Sequence, residues 1–472
     1  MNIKDLNILK THQALKNKEF SFENLVKEFL KSIDKKETEI NAFISIFKKQ
    51  ALKQAREKDK KGYKLKSVLD GIPIILKDNI LVKNKKCTAG SKILKNYKAL
   101  YNASVVEKLN KAGAIILGKG NMDEFACGAS GETSCFGPTK NPVNTKKVPG
   151  GSSSGPAAAL AANFALAGLG SDTGGSIREP ASFCGVYGLK PSYGRVSRYG
   201  LIAMASSLDQ IGPMALSLED LAIMLSFIQG RDKKDLTSLK SNKINYPLKA
   251  KDPKDIILGI PKNLVESKNK ELVKLFKETI SNLQKKGIKF LKVELPHLKY
   301  ALRAYNIIMP AEVSANLARF DGIRYGLCEK KKDLLDIYKE TRGKGFGQEV
   351  KARIMLGNYV LSQGFYNKYY LKAQKIRTLI KQDFANIFKK GVNGLFLPTT
   401  PKIAFNLREK IGKPIDMYLS DIYTVPANLT GLPALTFPNK NINGLPTGIQ
   451  IIGDDFDDEG ILKTAKTIES LI

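Results

Sequence analysis

Histidine is almost absent. His12 and His297 are the only two in 472 residues, and neither stands beside an acid-base motif, so a histidine-based serine triad is poorly supplied. Cysteine is scarce too. The five present, Cys87, Cys127, Cys135, Cys184 and Cys328, are odd in number and form no C-x-x-C pair, which argues against a disulfide frame and a zinc site. No strongly apolar run reaches the roughly 20 residues a bilayer demands; the charge-free stretch from Gly155 to Gly170 is short and rich in alanine and glycine. The first twenty residues carry Lys4, Asp5, Lys10, Lys16 and Lys18 without a sustained apolar core, so no secretory signal is read there. These absences point to a reducing cytoplasm, no membrane attachment and no bound metal. Acid is also in deficit: 45 Asp and Glu against 77 Lys and Arg give a net charge of +32. That charge attracts polyanions such as RNA. The lysines are spread along the whole chain with no interleaved aromatics, so a general lysine bias accounts for it as well as a dedicated RNA surface does.

Hydrophobic residues make up 43% of the chain, enough for a sizeable core. Ser21 is placed to cap a helix with Leu25, Val26, Phe29, Leu30 and Ile33 on one face, and a lysine-rich helix is read from about Ile46 to Lys58. From Ser67 to Ile228, apolar runs such as Ile72 to Leu76 and Ala114 to Leu117 alternate with helical stretches, the rhythm of a mixed or parallel sheet with covering helices. A polar stretch, Gly230 to Asp255, crosses the surface. Ile256 to Val293 reads as strand, helix and strand, and Tyr300 to Lys390 as mainly helical. Leu395 to Thr399 and Leu432 to Phe437 read as late strands returning to the sheet. Gly113 to Lys119 copies most of a P-loop, but Gly120 stands where Ser or Thr is required and the supposed loop is an apolar strand, so no ATP site is read there.

Chemistry is concentrated between Gly150 and Arg178. Gly150-Gly151-Ser152-Ser153-Ser154 precedes a run, Ala157 to Ala162, of high helix propensity, so the serines are expected at a helix N-terminus. A second loop, Asp172-Thr173-Gly174-Gly175-Ser176, has glycines that permit consecutive N–H groups to point one way, as an oxyanion pocket requires. The base for a serine has to come from elsewhere. Lys77 stands out because it ends the apolar run from Gly71 to Leu76 and precedes Asp78-Asn79. Bringing its value from about 10.4 to about 7 means destabilising the charged form by roughly 4 to 5 kcal/mol, which burial can supply.

The combination GIPIILKDNI, GGSSSG and GSDTGGSIREPASFCGVYGLKPSYGRVS resembles the amidase signature family at matching intervals. The resemblance implies an α/β fold with a large mixed, twisted β-sheet covered by helices on both faces. It is read as one domain over 1–472: N-terminal helices in 1–65, a catalytic sheet core in 66–229 and 391–472, and a substrate-side helical lobe in 230–390. It further implies Ser176 as nucleophile, Ser152 as a bridging serine in a cis peptide, Lys77 as base, and the backbone N–H groups of Thr173, Gly174, Gly175 and Ser176 as the oxyanion hole.

Further stretches resemble the branch of that family that serves tRNA-dependent amidotransferases: Gly118 to Ala126, Pro310 to Gly322, Glu349 to Gly357, Asp421 to Pro433 and Gly444 to Gln450. This likeness implies glutamine as substrate, with Arg353 for its carboxylate, Asp421 for its ammonium and Tyr305 as a further pocket contact. It also implies two partner subunits, B and C, in a heterotrimer. The misacylated tRNA would be held mainly by a partner, and ATP and Mg would be used there, with no cofactor in this chain. Two other readings stay open on the residues: a stand-alone amidase on a small amide, and a basic RNA-binding or assembly subunit.

Overall fold

The computed structural model describes residues 2–63, 65–262 and 267–472. Its centre is one eleven-stranded sheet in the order β1-β3-β2-β4-β6-β5-β10-β11-β9-β7-β8. The strands are β1 (Phe43–Ile46), β2 (Pro73–Lys77), β3 (Ile115–Gly120), β4 (Ala167–Asp172), β5 (Tyr187–Lys190), β6 (Gln210–Ala215), β7 (Ile257–Pro261), β8 (Lys289–Val293), β9 (Gly394–Pro398), β10 (Ala434–Pro438) and β11 (Gly448–Ile452). The sheet is mixed. β3, β2 and β4 run parallel at one end, β9, β7 and β8 run parallel at the other, and antiparallel pairs join them through β6, β5, β10 and β11. Strands β2, β3 and β4 are buried along their whole length, which is why β2 and the first half of β3 read as continuous apolar runs rather than alternating ones.

The helices follow from period and caps. Phe22–Ile40 begins where the Ser21 side chain accepts from the Asn24 amide, and it buries Leu25, Val26, Phe29, Leu30 and Ile33 as a single stripe. It ends at Asn41 in the left-handed region, with φ 56°. The stripe joins a large apolar cluster containing Ile74, Ile75, Ile115, Leu117, Leu160 and Leu169. A second cluster lies under the helices Ala301–Leu317, Gln348–Leu361 and Lys372–Phe388, where Ile308, Val313, Val350, Ile380 and Phe384 meet Leu395 and Leu397 of β9. The elements that bear on function therefore stand on two cores, one below β2 and β4 and one below the Arg353 helix.

Several elements depart from the sequence reading. The segment 1–65 is not purely helical, because Phe43–Ile46 pairs with β3 as the edge strand β1, and the lysine-rich helix starts after it at Lys48. The segment 230–390 is not a helical lobe alone: the strand, helix and strand read from Ile256 to Val293 are present as β7, Lys270–Lys285 and β8, and both strands join the sheet. Strands β5 and β6 are short and interrupted by glycine or proline, and β11 is five residues long and starts on a glycine, so periodicity gave no signal for them. The P-loop-like stretch is β3, as its apolar run indicated, and Lys119 lies buried in it, donating to Asp78 Oδ1 at 3.1 Å.

The C-terminal helix Asp458–Glu469 is fastened to the loop after β5 by one buried carboxylate. Asp458 accepts from Arg195 Nε at 2.7 Å, from the Ser192 amide at 3.0 Å and from Ser192 Oγ at 2.7 Å. Arg195 spends its other donors on Gln229 Oε1 and the carbonyls of Asn242 and Phe456. Removing one partner strands a buried charge. Asp458→Ala is expected to lower stability by about 3 to 5 kcal/mol, read as a reduced urea midpoint; an unchanged midpoint would show that this fastening contributes nothing.

Candidate active site

β2 and β4 are parallel neighbours, so their C-terminal ends open on the same side of the sheet. Lys77 is the last residue of β2 and Asp172 the last of β4. Lys77 is fully buried; its Nζ donates to Ser152 Oγ at 2.7 Å and to the Ser171 carbonyl at 3.2 Å. Burial pushes the amine down to about 7, against the opposing pull of Asp123, Asp172 and Asp209. Once neutral, it can receive a hydroxyl proton along the same 2.7 Å line.

Ser152 follows a cis peptide bond at Gly151-Ser152. Close approach explains the glycine at 151: a Cβ there would meet Asp123 Oδ2 at 2.0 Å. Asp123 holds the facing loop by accepting from the Gly131 amide at 2.9 Å and the Thr133 amide at 3.1 Å. The helix Ser154–Ala161 starts as the alanine run indicated, but the Ser153 side chain does not cap it. Ser153 Oγ instead donates to the Ser171 carbonyl of β4 at 3.1 Å, and the Ser153 amide donates to the Ser176 carbonyl at 3.0 Å. Ser153 thereby ties the loop of Ser152 to the loop of Ser176. Lys77 and Ser152 have no exposure, and Ser176 keeps 8%, so the three are graded from interior to surface.

The turn from β4 into the helix Arg178–Cys184 is organised by Asp172. Its carboxylate accepts from the amides of Gly175 at 2.9 Å and Ile177 at 3.1 Å, from Arg178 Nε at 3.1 Å and Nη2 at 3.0 Å, and from Asn428 Nδ2 at 2.8 Å. Burial alone would raise this acid, but Arg178 and Asn428 outweigh it and hold it at about 2. Arg178, fully buried, also donates to the Thr424 carbonyl, Gln450 Oε1 and Asn428 Oδ1. Gly175 has φ 143°, a conformation that favours glycine, and a Cβ there would meet Thr424 Oγ1 at 2.4 Å. The Gly175 N–H is one of the four donors read for an oxyanion, yet it faces Asp172. That corrects the expectation: among the described residues, the amides of Thr173, Gly174 and Ser176 are the ones without an acceptor in the chain.

The three residues read for the pocket gather around this turn. Tyr305 is buried and packs on Gly174, where an added Cβ would lie 2.4 Å from its hydroxyl. Arg353 has its guanidinium 5.5 Å from the centre of the Tyr418 ring; Nε donates to Glu349 Oε1 at 2.7 Å and Nη1 faces Met309 Sδ at 3.2 Å. Asp421 ends the turn Leu419–Asp421 and is half-buried. Burial pushes its carboxyl up to about 7 even with Arg353 nearby. Both histidines stand apart: His297 pairs with Asp383 at 3.1 Å, and His12 belongs to the helix Ile8–Lys16. Sequence reasoning missed Asp172, Arg178, Asp123, Glu349 and Tyr418. A signal existed for the first two, since with Glu179 they are the only charged residues between Gly150 and Pro180. Among the described residues no group of three or more His, Cys, Asp or Glu is placed to hold a metal ion, and no helix is long and apolar enough to cross a membrane.

The Amidase family profile matches residues 24–462. The chain belongs to the amidase family. Amidase-family relatives include a protein of a Sulfurihydrogenibium species, 48% identical over 97% of this chain and 95% of the relative, and one of Thermoanaerobacter pseudethanolicus, 50% identical over 99% and 97%. Both bear the name of the glutamyl-tRNA(Gln) amidotransferase A subunit. Among solved structures, a protein of that name from Thermotoga maritima superposes with a TM-score of 0.83 at 37% identity, covering 100% of this chain and 95% of the other. The peptide amidase of Stenotrophomonas maltophilia gives 0.84 at 27% identity, covering 99% and 97%.

The burial of Lys77 makes a direct prediction. In the full chain labelled with 13C-lysine, and with the resonance assigned by its loss in Lys77→Arg, the Lys77 Cε signal is expected to titrate near 7. A midpoint in the ordinary range above about 10 would contradict the dry environment described.

Proposed function

We propose that this amidase-family chain is the glutamine-hydrolysing subunit of a tRNA-dependent amidotransferase, producing ammonia for conversion of Glu-tRNA(Gln), or Asp-tRNA(Asn), to the amidated form. The observation that carries the reading is the buried Lys77–Ser152 contact of 2.7 Å beside the Ser176 turn, in a chain about half identical to the named relatives over nearly its full length. Neutral Lys77 takes the proton of Ser152 as Ser152 takes that of Ser176, and the Ser176 oxygen attacks the side-chain amide carbon. The amides of Thr173, Gly174 and Ser176 receive the oxyanion; one such donor is typically worth about 3 kcal/mol in the transition state. As the C–N bond breaks, the departing nitrogen takes its proton back through Ser152 from Lys77. Ammonia leaves, and water releases glutamate from Ser176 by the same relay.

Glutamine presents a carboxylate and an ammonium beside its reacting amide, and Arg353 and Asp421 carry the complementary charges. Arg353 already shares one edge with Glu349, so the substrate carboxylate would meet its remaining donors, with Tyr305 closing the wall at Gly174. Partner subunits B and C would supply the ATP- and Mg-dependent activation and most of the tRNA contact, in the cytoplasm where aminoacyl-tRNA is made. The absence of a usable P-loop in β3 is consistent with that division of labour.

The test separates the source of ammonia from its use. Ser176→Ala, assembled with its partner subunits, ATP and misacylated tRNA, is expected to fail with glutamine and to amidate the tRNA when ammonium salt is supplied. Formation of Gln-tRNA or Asn-tRNA is the readout. Undiminished activity of the variant with glutamine would sink the assignment, and loss of both activities would show that the serine does more than liberate ammonia.

A further inference from the structure

The Thr173–Ser176 turn is pinned residue by residue, and one pin is a carboxylate that the relay does not use. Asp172 takes the amides of Gly175 and Ile177, Thr424 Oγ1 donates to the Gly174 carbonyl at 2.6 Å, and the Ser153 amide donates to the Ser176 carbonyl at 3.0 Å. Thr173 is held by its side chain: Oγ1 donates to Asp209 Oδ1 at 2.7 Å, and both residues are buried. The sheet dictates that meeting. β4 and β6 are antiparallel with Asp172 opposite Gln210, so Thr173, just after β4, and Asp209, just before β6, stand across from each other. Asp209 is itself held, accepting from the Met204 amide at 2.9 Å and the Ala205 amide at 3.1 Å through Oδ2. The loop it closes is fixed to two helices of the second core. The Ser207 amide donates to Glu312 Oε2 at 2.8 Å, Asn316 Nδ2 to the Met204 carbonyl at 3.1 Å, and Arg377 to Ser207 Oγ at 2.8 Å and the Ser207 carbonyl at 2.9 Å. Glu312 and Asn316 belong to the helix Ala301–Leu317, which also carries Tyr305 against Gly174.

We infer that Asp209 is a positioning residue for amide hydrolysis: by accepting from the Thr173 hydroxyl, it fixes the turn so that the Thr173 amide points at the developing oxyanion. The inference rests on the reading of Thr173 as an oxyanion donor. Among the described residues the Thr173 amide has no acceptor in the chain, so its direction is set by β4 on one side and by the Asp209 bond on the other. A donor aimed in advance acts on the transition state more than on the bound substrate, because it costs no reorganisation when charge develops. Asp209 therefore joins the oxyanion turn to the same helix that builds the Tyr305 wall, and substrate is placed against donors that cannot drift from it.

Asp209 is also one of the anions opposing neutral Lys77, so the deciding substitution is made on Thr173, which leaves that charge in place. Thr173→Val keeps the branched shape and removes the donor. Glutamine hydrolysis by the chain assembled with its partner subunits is followed as ammonia release over a range of glutamine concentrations. Thr173→Val is expected to lower kcat by about 10- to 100-fold, short of the roughly 100- to 1,000-fold loss when such a donor is removed outright, with KM held within about twofold. Thr173→Ser, which keeps the hydroxyl and loses only the methyl, is expected to stay within about threefold of the parent kcat. Thr173→Ala stands in if the valine variant does not fold. In an Asp209→Ala background, itself slowed, the valine change is expected to add no further loss, because the bond it breaks is already gone; if that background does not fold, the valine and serine variants decide the matter by themselves. An unmoved kcat in Thr173→Val, a loss that appears in KM alone, a serine variant as slow as the valine one, or independent losses that multiply in the double variant overturns the inference alone. A parent complex that releases no ammonia from glutamine overturns the glutaminase reading, and this inference with it.

Discussion

A lysine amine at the dry end of a parallel strand is the constraint on which the rest of the site depends. Lys77 is fully buried and meets a hydroxyl and a carbonyl rather than a carboxylate. A charged ammonium in that position is costly, and the protein's answer is to let it go neutral. Asp172, one strand over, pulls the other way, and burial outweighs it. Its carboxylate is clasped by Arg178 through two nitrogens and by Asn428 as a third side-chain donor. The Asp172–Arg178 pair therefore does two jobs. It sets a guanidinium against an anion that favours protonated Lys77, and it folds the Thr173–Ser176 turn by drawing in the amides of Gly175 and Ile177.

The same pair connects the sheet to the C-terminal part of the chain. Arg178 reaches Thr424, Asn428 and Gln450, and Thr424 Oγ1 donates to the Gly174 carbonyl at 2.6 Å. Residues more than two hundred positions apart thus fix one turn. Charge on the outside behaves differently: surface pairs such as Lys53–Glu57 and Lys274–Glu278 are long, at 4.0 Å, and exposed, and contribute little. The excess of lysine does not shape the site. The few charges that matter are buried, and each is answered by a named partner or by loss of its proton.

Legibility in the sequence followed how local each signal is. The helix Phe22–Ile40 was readable because its cap and its stripe lie within nineteen residues, and β2 because its apolar run is unbroken. The two loops at Ser152 and Ser176 were readable as chemistry because glycine and serine are concentrated there. The pairing of β4 with β6 and of β5 with β10 was not readable, since register depends on strands far apart in the chain. β1 was absorbed into a neighbouring helix because Phe43–Ile46 is four residues long. The Gly175 amide was misassigned for a related reason: a glycine loop says that N–H groups are free to turn, and only the placement of Asp172 decides which of them is already taken. Glu349 and Tyr418, which frame Arg353, lie sixty-nine positions apart and meet at 3.1 Å; no periodicity announces such a contact.

The central claim is that a neutral Lys77 activates Ser176 through Ser152. Its most direct measurement is mass spectrometry of the full chain quenched in acid during reaction with glutamine, followed by digestion and mapping of the modified peptide. The account predicts a glutamyl ester on Ser176 that forms in the native chain and is lost in Lys77→Ala. An adduct on another residue, or one that forms equally fast without Lys77, would contradict it.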